Sequence, residues 1–205
     1  MTTTTRSLAI FILANGCLFM TISTSIAQFV IDTNGESVEE GNRYFIRPAI
    51  TGNGGSFSLV IRNGSCPLNV GLDNPELPHG LTVAFIPLVS HHDEHNVRLN
   101  KDLRIQFIAS TICGQSTDWR LGERDATSGR RLIMITGKDD GKIGPLSFFR
   151  IVQTEVAGIY FIEWCPREVC SYCMLECGAV GIIRENGKTL LALDGGVIPV
   201  VFQKS

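Results

Sequence analysis

Helical periodicity is what this chain most lacks. Beyond residue 27, no stretch of useful length carries apolar residues at the three-and-four spacing of an amphipathic helix. Charge of one sign is equally scarce. Lys and Arg number 18, Asp and Glu 20, and the net charge is −2 with neither sign clustered. That excludes the basic footprint of a nucleic-acid binder. After residue 27 no apolar run is long enough to span a bilayer. Catalytic signatures are missing too: G-x-S-x-G, H-E-x-x-H and a Gly-rich phosphate loop do not occur. Histidine occurs only at His79, His91, His92 and His95. The adjacent carboxylates Asp93-Glu94 and Asp139-Asp140 sit in polar loops, with nothing to set two carboxyls across a sugar cleft. An enzyme is not expected.

What is present begins with a leader. Arg6 gives a positive start, Leu8 to Ile22 is largely apolar, and Ser25-Ile26-Ala27 is a small-residue cleavage site. Residues 1–27 therefore read as a secretory signal peptide, and 28–205 as one domain. A membrane anchor is the competing reading, but Asn15-Gly16 interrupts the run. The expected location is extracellular, or the vacuole reached by the secretory route.

Of the seven cysteines, Cys17 lies in this leader. The six left are Cys66, Cys113, Cys165, Cys170, Cys173 and Cys177. An even count in a secreted chain predicts three disulfides, with the connectivity left open. The dense cluster from Cys165 to Cys177 also admits a zinc knot or a redox C-x-x-C, although an oxidising compartment favours disulfides. Asn63-Gly64-Ser65 is an N-glycosylation sequon.

Short β-type runs recur between Gly, Asn, Asp and Pro breaks. They are Tyr44–Ala49, Phe57–Ile61, Thr82–Pro87, Leu103–Ile108, Arg131–Thr136, Ser147–Val152, Ile159–Glu163, Val180–Arg184, Leu190–Leu193 and Ile198–Phe202. This is an all-β pattern, sandwich or barrel. A weak internal repeat adds detail. The YFI triplets at Tyr44 and Tyr160 are two periods of about 58 residues apart. Phe57–Ile61 likewise resembles Ile198–Phe202. Three copies of roughly 55–60 residues would fill 28–205 and close one core.

The stretch Phe29 to Ile46 carries a more specific signal. Asp32-Thr33-Asn34-Gly35 is a turn, Glu39-Glu40-Gly41-Asn42 a second break, and Tyr44-Phe45-Ile46 opens a strand. Val30, Asp32, Gly35, Val38, Tyr44 and Ile46 fall at the fixed positions of the N-terminal signature of plant Kunitz proteins. Cys66-Pro67-Leu68, Thr117-Asp118-Trp119, Cys177-Gly178 and Val200-Val201-Phe202-Gln203 extend the match. The chain thus resembles the soybean trypsin inhibitor and miraculin-like family over essentially all of 28–205. The resemblance implies a β-trefoil, a six-stranded barrel capped by three hairpins. It also implies the pairs Cys66–Cys113, Cys165–Cys177 and Cys170–Cys173.

The resemblance further implies inhibition of a protease, serine-type or in some relatives cysteine-type. A rigid exposed loop fills the enzyme's active site like a substrate and resists cleavage. Rigidity removes the entropy cost of ordering the loop. The matching loop is Leu88-Val89-Ser90-His91-His92, with the reactive bond at Ser90-His91. Uncharged Ser90 suits a small specificity pocket rather than trypsin's acidic one. Inhibitory relatives brace this loop with an Asn where Glu40 stands here, and a carboxylate only accepts hydrogen bonds. Pro166-Arg167-Glu168, in the cysteine-rich stretch, is an alternative reactive loop with Arg at the cleaved position.

His91, His92 and His95 with Asp93 and Glu94 also suggest a metal, but the spacing matches no standard site. A pH-sensitive loop is the simpler reading. No cofactor is implied. The expected partner is a protease bound by a monomer, with no nucleic acid and, after signal cleavage, no membrane. The rival reading is a non-inhibitory lectin-like, miraculin-like or storage trefoil.

Overall fold

The computed structural model describes residues 28–50, 55–62, 64, 66, 68–72, 80–89, 95–113, 116–136 and 143–205. Residues 1–27, the expected leader, and the sequon residue Asn63 lie outside the described residues. Six strands turn alternate apolar side chains into the core and leave the others less buried, and these make the barrel. They are β1 (Tyr44–Pro48), β4 (Thr82–Pro87), β5 (Leu103–Phe107), β8 (Arg150–Gln153), β9 (Tyr160–Trp164) and β13 (Val200–Lys204). In β1, Tyr44 and Ile46 are buried, while Phe45 faces out under the Arg47 guanidinium at 5.6 Å. In β5, Leu103, Ile105 and Phe107 point inward, and in β9 Tyr160, Ile162 and Trp164 do. Period-two alternation with one buried face is the sequence pattern such strands require.

The ring closes. β1 pairs with β4 and with β13, β4 with β5, β8 with β9, and β9 with β13. A bridge between Leu103 and Phe149 joins β5 to the start of β8. Closure removes the free strand edges that invite aggregation.

Three hairpins cover one end. They are β2–β3 (Phe57–Val60, Asn69–Leu72), β6–β7 (Trp119–Arg124, Arg131–Ile135) and β10–β11 (Gly178–Glu185, Lys188–Leu193). Their inner strands meet in a triangle: Asn69 pairs with Met134, Leu132 with Ala192, and Leu72 with Thr189. At one corner an added Cβ on Gly71 would stand 2.2 Å from the Thr189 carbonyl oxygen, so only glycine allows the approach. The short β12 (Gly196–Val197) adds to β10. This is the β-trefoil. Each repeat runs barrel strand, hairpin, barrel strand, and the three begin at Tyr44, Leu103 and Tyr160, 59 and 57 residues apart.

The threefold arrangement has an ionic node. Arg62, Asp125 and Glu185 each come from a different cap hairpin. The Arg62 guanidinium donates to both Asp125 oxygens, at 2.6 and 3.0 Å, and to both Glu185 oxygens, at 3.1 and 2.8 Å. Inside, two aromatic groups fill the barrel. Phe85 and Tyr160 pack on Phe202, with centroids 5.1 and 5.4 Å apart. Trp119 contacts Phe57, Phe107 and Phe149 at 5.9, 5.6 and 6.1 Å. Such rings bury large apolar area and add specific edge and face contacts.

Three sequence expectations need correction. Asn69–Leu72 and Trp119–Arg124 are strands that the periodicity did not single out, because each carries a glycine inside a short run. The run expected from Ser147 begins instead with a single 3-10 turn at Pro145–Ser147, and β8 starts at Arg150. The likeness of Phe57–Ile61 to Ile198–Phe202 marks no repeat equivalence, since Phe57–Val60 lies in a cap hairpin and Val200–Lys204 in the barrel.

Candidate functional site

The two ends of the loop after β4 are held by different parts of the fold. Pro87 ends β4, and the Leu88 N–H donates to the Asp102 carbonyl at 2.9 Å. Leu88 and Val89 are 38% and 62% exposed. Ser90, His91, His92, Asp93 and Glu94 lie outside the described residues. The chain resumes at exposed His95, whose carbonyl accepts the Glu40 N–H at 2.7 Å. Asn96 then bridges to Glu39, and the Val97 N–H donates to Val38 at 2.7 Å.

The N-terminal segment is therefore the bed for one side of the loop, and its own geometry is set locally. The Asp32 carboxylate accepts the N–H groups of Asn34 and Glu36 at 2.8 and 3.0 Å, and Gly35 takes φ +81°. Tyr44 and Tyr160 anchor the segment from inside the barrel. The Tyr44 hydroxyl accepts the Glu39 N–H and the Tyr160 hydroxyl the Ile31 N–H, both at 2.9 Å. The two YFI triplets thus share a role as well as a sequence. Burial pushes the Tyr160 phenol above its ordinary pKa, against the lowering effect of the Ile31 N–H.

At the described ends of the loop is a cleft of about 290 Å³ lined in part by Glu40, Val89, Asn96, Lys101, Asp102 and Glu168. At its floor the Asp102 carboxylate, in a residue only 1% exposed, accepts three donors. They are the N–H groups of Glu168 and Val169 at 2.6 and 2.9 Å and Nε of Arg150 at 2.5 Å. In return Glu168 accepts the Asp102 N–H at 2.9 Å and Lys101 Nζ at 2.5 Å. Burial raises the Glu168 pKa, but those two hydrogen bonds and the Lys101 and Arg150 charges outweigh it and hold the group below its ordinary value.

Glu168 belongs to the cysteine-rich connection between β9 and β10. The disulfides join Cys66 to Cys113, 47 residues apart, Cys165 to Cys177 and Cys170 to Cys173. Arg167 is exposed, but its backbone is not extended. Its N–H turns back to the Cys165 carbonyl at 2.8 Å, and the Cys170 N–H closes on Pro166 at 3.1 Å. Beyond this turn Tyr172 and Met174 are fully accessible. Sequence reasoning missed Asp102 as a functional residue. Its only local mark is a polar break before an apolar strand, which many surface aspartates share.

A family model of trypsin and protease inhibitors, the legume Kunitz type, matches residues 30–204. The chain belongs to this family. A trypsin inhibitor of the Kunitz type from Medicago truncatula is 64% identical over 200 residues, covering 98% of both chains. Miraculin from Synsepalum dulcificum is 34% identical over 86% of this chain and 83% of its own. Among solved structures, the double-headed arrowhead protease inhibitor in complex with two trypsins superposes with a TM-score of 0.69 at 25% identity. It covers 86% of this chain and 99% of its own. The Medicago truncatula relatives are trypsin inhibitors by name, and this Kunitz protein is an inhibitor-family member rather than an enzyme.

Proposed function

We propose that this Kunitz protein inhibits serine endopeptidases by presenting the loop around Ser90-His91 to their active sites. One observation carries the reading. The two ends of the loop are tied independently, Leu88 to Asp102 beside β5 and His95 to Glu40 of the N-terminal segment, while the side chains at the described ends face solvent. A loop clamped at both ends loses little entropy on binding and keeps its cleaved ends together. Family membership and the trypsin-inhibitor relatives support a protease partner.

Ser90 at the cleaved position favours a small-pocket enzyme over trypsin. The Arg167-Glu168 bond is given no inhibitory role here. Its closed turn is unlike an extended substrate, and the Glu168 N–H is already bound to Asp102. Secretion with removal of residues 1–27, use of Asn63 and action as a monomer complete the proposal. They rest on the leader, on the sequon and on a fold that needs no second copy to close its barrel.

The test is residual activity of trypsin, elastase, subtilisin and papain against the oxidised protein and its Ser90→Arg and Arg167→Ala variants. Inhibition of elastase or subtilisin by the wild type, with trypsin inhibition gained in Ser90→Arg, is expected. Trypsin inhibition by the wild type that vanishes in Arg167→Ala would move the site to the cysteine-rich turn. No inhibition by the wild type or by Ser90→Arg would leave a binding or storage trefoil.

A further inference from the structure

We propose that Glu168 is a positioning residue for the inhibitory loop, coupling the disulfide-braced segment 165–177 to Leu88 through Asp102. The inference rests on the reactive bond lying at Ser90-His91, which places Leu88 two residues before the cleaved position.

The coupling is a chain of direct bonds. Asp102 has both flanking peptide groups engaged. Its N–H donates to Glu168 at 2.9 Å, and its carbonyl accepts the Leu88 N–H at 2.9 Å. Its side chain is held as well, by the Glu168 and Val169 N–H groups and by Arg150. A residue fixed at N–H, carbonyl and carboxylate has no soft torsion left. The acceptor offered to Leu88 is therefore preset rather than found on binding. The pair is reciprocal, because each carboxylate accepts the other residue's backbone N–H.

Glu168 in turn sits on a covalently closed segment. Cys165–Cys177 shuts its ends and Cys170–Cys173 its middle. Lys101, beside Asp102, adds a charge-assisted bond of 2.5 Å to the other Glu168 oxygen. The cysteine-rich segment, whose Arg167 suggests a second reactive site, serves on this geometry as the buttress of the first. Asp102 and Glu168, 66 positions apart in sequence, meet at the cleft, and Asp102 carries the bond to Leu88.

The experiment compares wild type, Glu168→Ala, Glu168→Gln and Asp102→Asn. The first readout is amide hydrogen exchange at Leu88, with Ile46 of β1 as an internal reference. The second is the dissociation rate of the complex with elastase or subtilisin, whichever the wild type inhibits. Glu168→Ala should raise Leu88 exchange about tenfold with Ile46 unchanged, and speed dissociation about tenfold with association little altered. Glu168→Gln keeps an oxygen for the Asp102 N–H and should recover most of both. Asp102→Asn should repeat the Leu88 effect.

Leu88 exchange equal to wild type in Glu168→Ala would overturn the coupling. So would a rise shared by Ile46, which marks a merely structural role. If the wild type inhibits no protease, the functional reading fails, and Leu88 exchange still decides whether Glu168 holds the loop stem.

Discussion

Glu40 donates its backbone N–H to the carbonyl of His95 at 2.7 Å and lines the cleft at the described ends of the loop. The N-terminal segment and the far stem of the loop are thereby one unit. The family resemblance matches Glu40 to a bracing Asn, and the structure bonds Glu40 to the His95 stem of the loop.

An amide at this position adds donors that a carboxylate lacks. Glu40→Asn should slow dissociation from the inhibited protease about tenfold, with association nearly unchanged. Stopped-flow association and jump-dilution assays check this. Equal dissociation rates would show that position 40 does not brace the loop through its side chain.

Tyr160 holds the Ile31 N–H from inside the barrel. Tyr160→Phe leaves that donor without its acceptor at a part-buried site, at a cost of about 1–3 kcal/mol. Thermal melts should fall by several degrees, at about 2–4 °C per kcal/mol for a domain of this size. The phenol is pushed up by burial, so the stability it contributes is full below the ordinary tyrosine pKa and is lost as pH rises through its folded value. The alkaline decline above about pH 10 should be shallower in Tyr160→Phe.

The cap node should contribute to acid sensitivity. Hydrogen bonding from Arg62, then from the Ser128 N–H and hydroxyl, holds the Asp125 carboxyl well below the usual range. A depressed carboxyl pKa contributes stability above the unfolded value, near pH 4, and that contribution is lost as pH falls toward the folded value. Arg62→Met should cost about 3 kcal/mol at neutral pH, as expected when one partner of a largely buried pair is removed. It should also flatten the decline below about pH 4. Urea melts at neutral and acid pH measure both. A decline as steep as wild type would assign the acid sensitivity elsewhere.

Cys66 and Cys113 close the longest of the three disulfide loops, 47 residues in separation. Cross-linking at that length removes unfolded-state entropy worth about 4 kcal/mol in the chain-entropy model. Cys66→Ser, paired with Cys113→Ser to avoid a free thiol, should lower the melting temperature markedly. An unchanged melt would contradict this pairing.

Much of this molecule is readable in one dimension. The Asp32-to-Gly35 turn follows from an Asx acceptor and a glycine at positive φ. The barrel strands follow from alternation, as in Thr82–Pro87, whose bounds agree at both ends. Local chemistry and a repeated period carry these features without reference to distant residues. The cap strands Asn69–Leu72 and Trp119–Arg124 were less legible. Gly71 weakens a strand pattern, yet it is required because β3 crosses against Thr189 at backbone distance.

The site divides in the same way. By itself the sequence determined the family, the even cysteine count, the turn chemistry and the loop after β4, because each depends on residues near one another or on a fixed order. Only the tertiary structure decided which hydroxyls anchor the N-terminal segment, that Arg62, Asp125 and Glu185 share one node, and that Glu168 reaches Leu88 through Asp102. The Tyr160–Ile31 bond, the Arg62 node and the Asp102–Glu168 pair join residues more than 50 positions apart, and no local propensity encodes them. They exist because barrel closure brings the strand ends together and leaves their buried polar groups to satisfy one another.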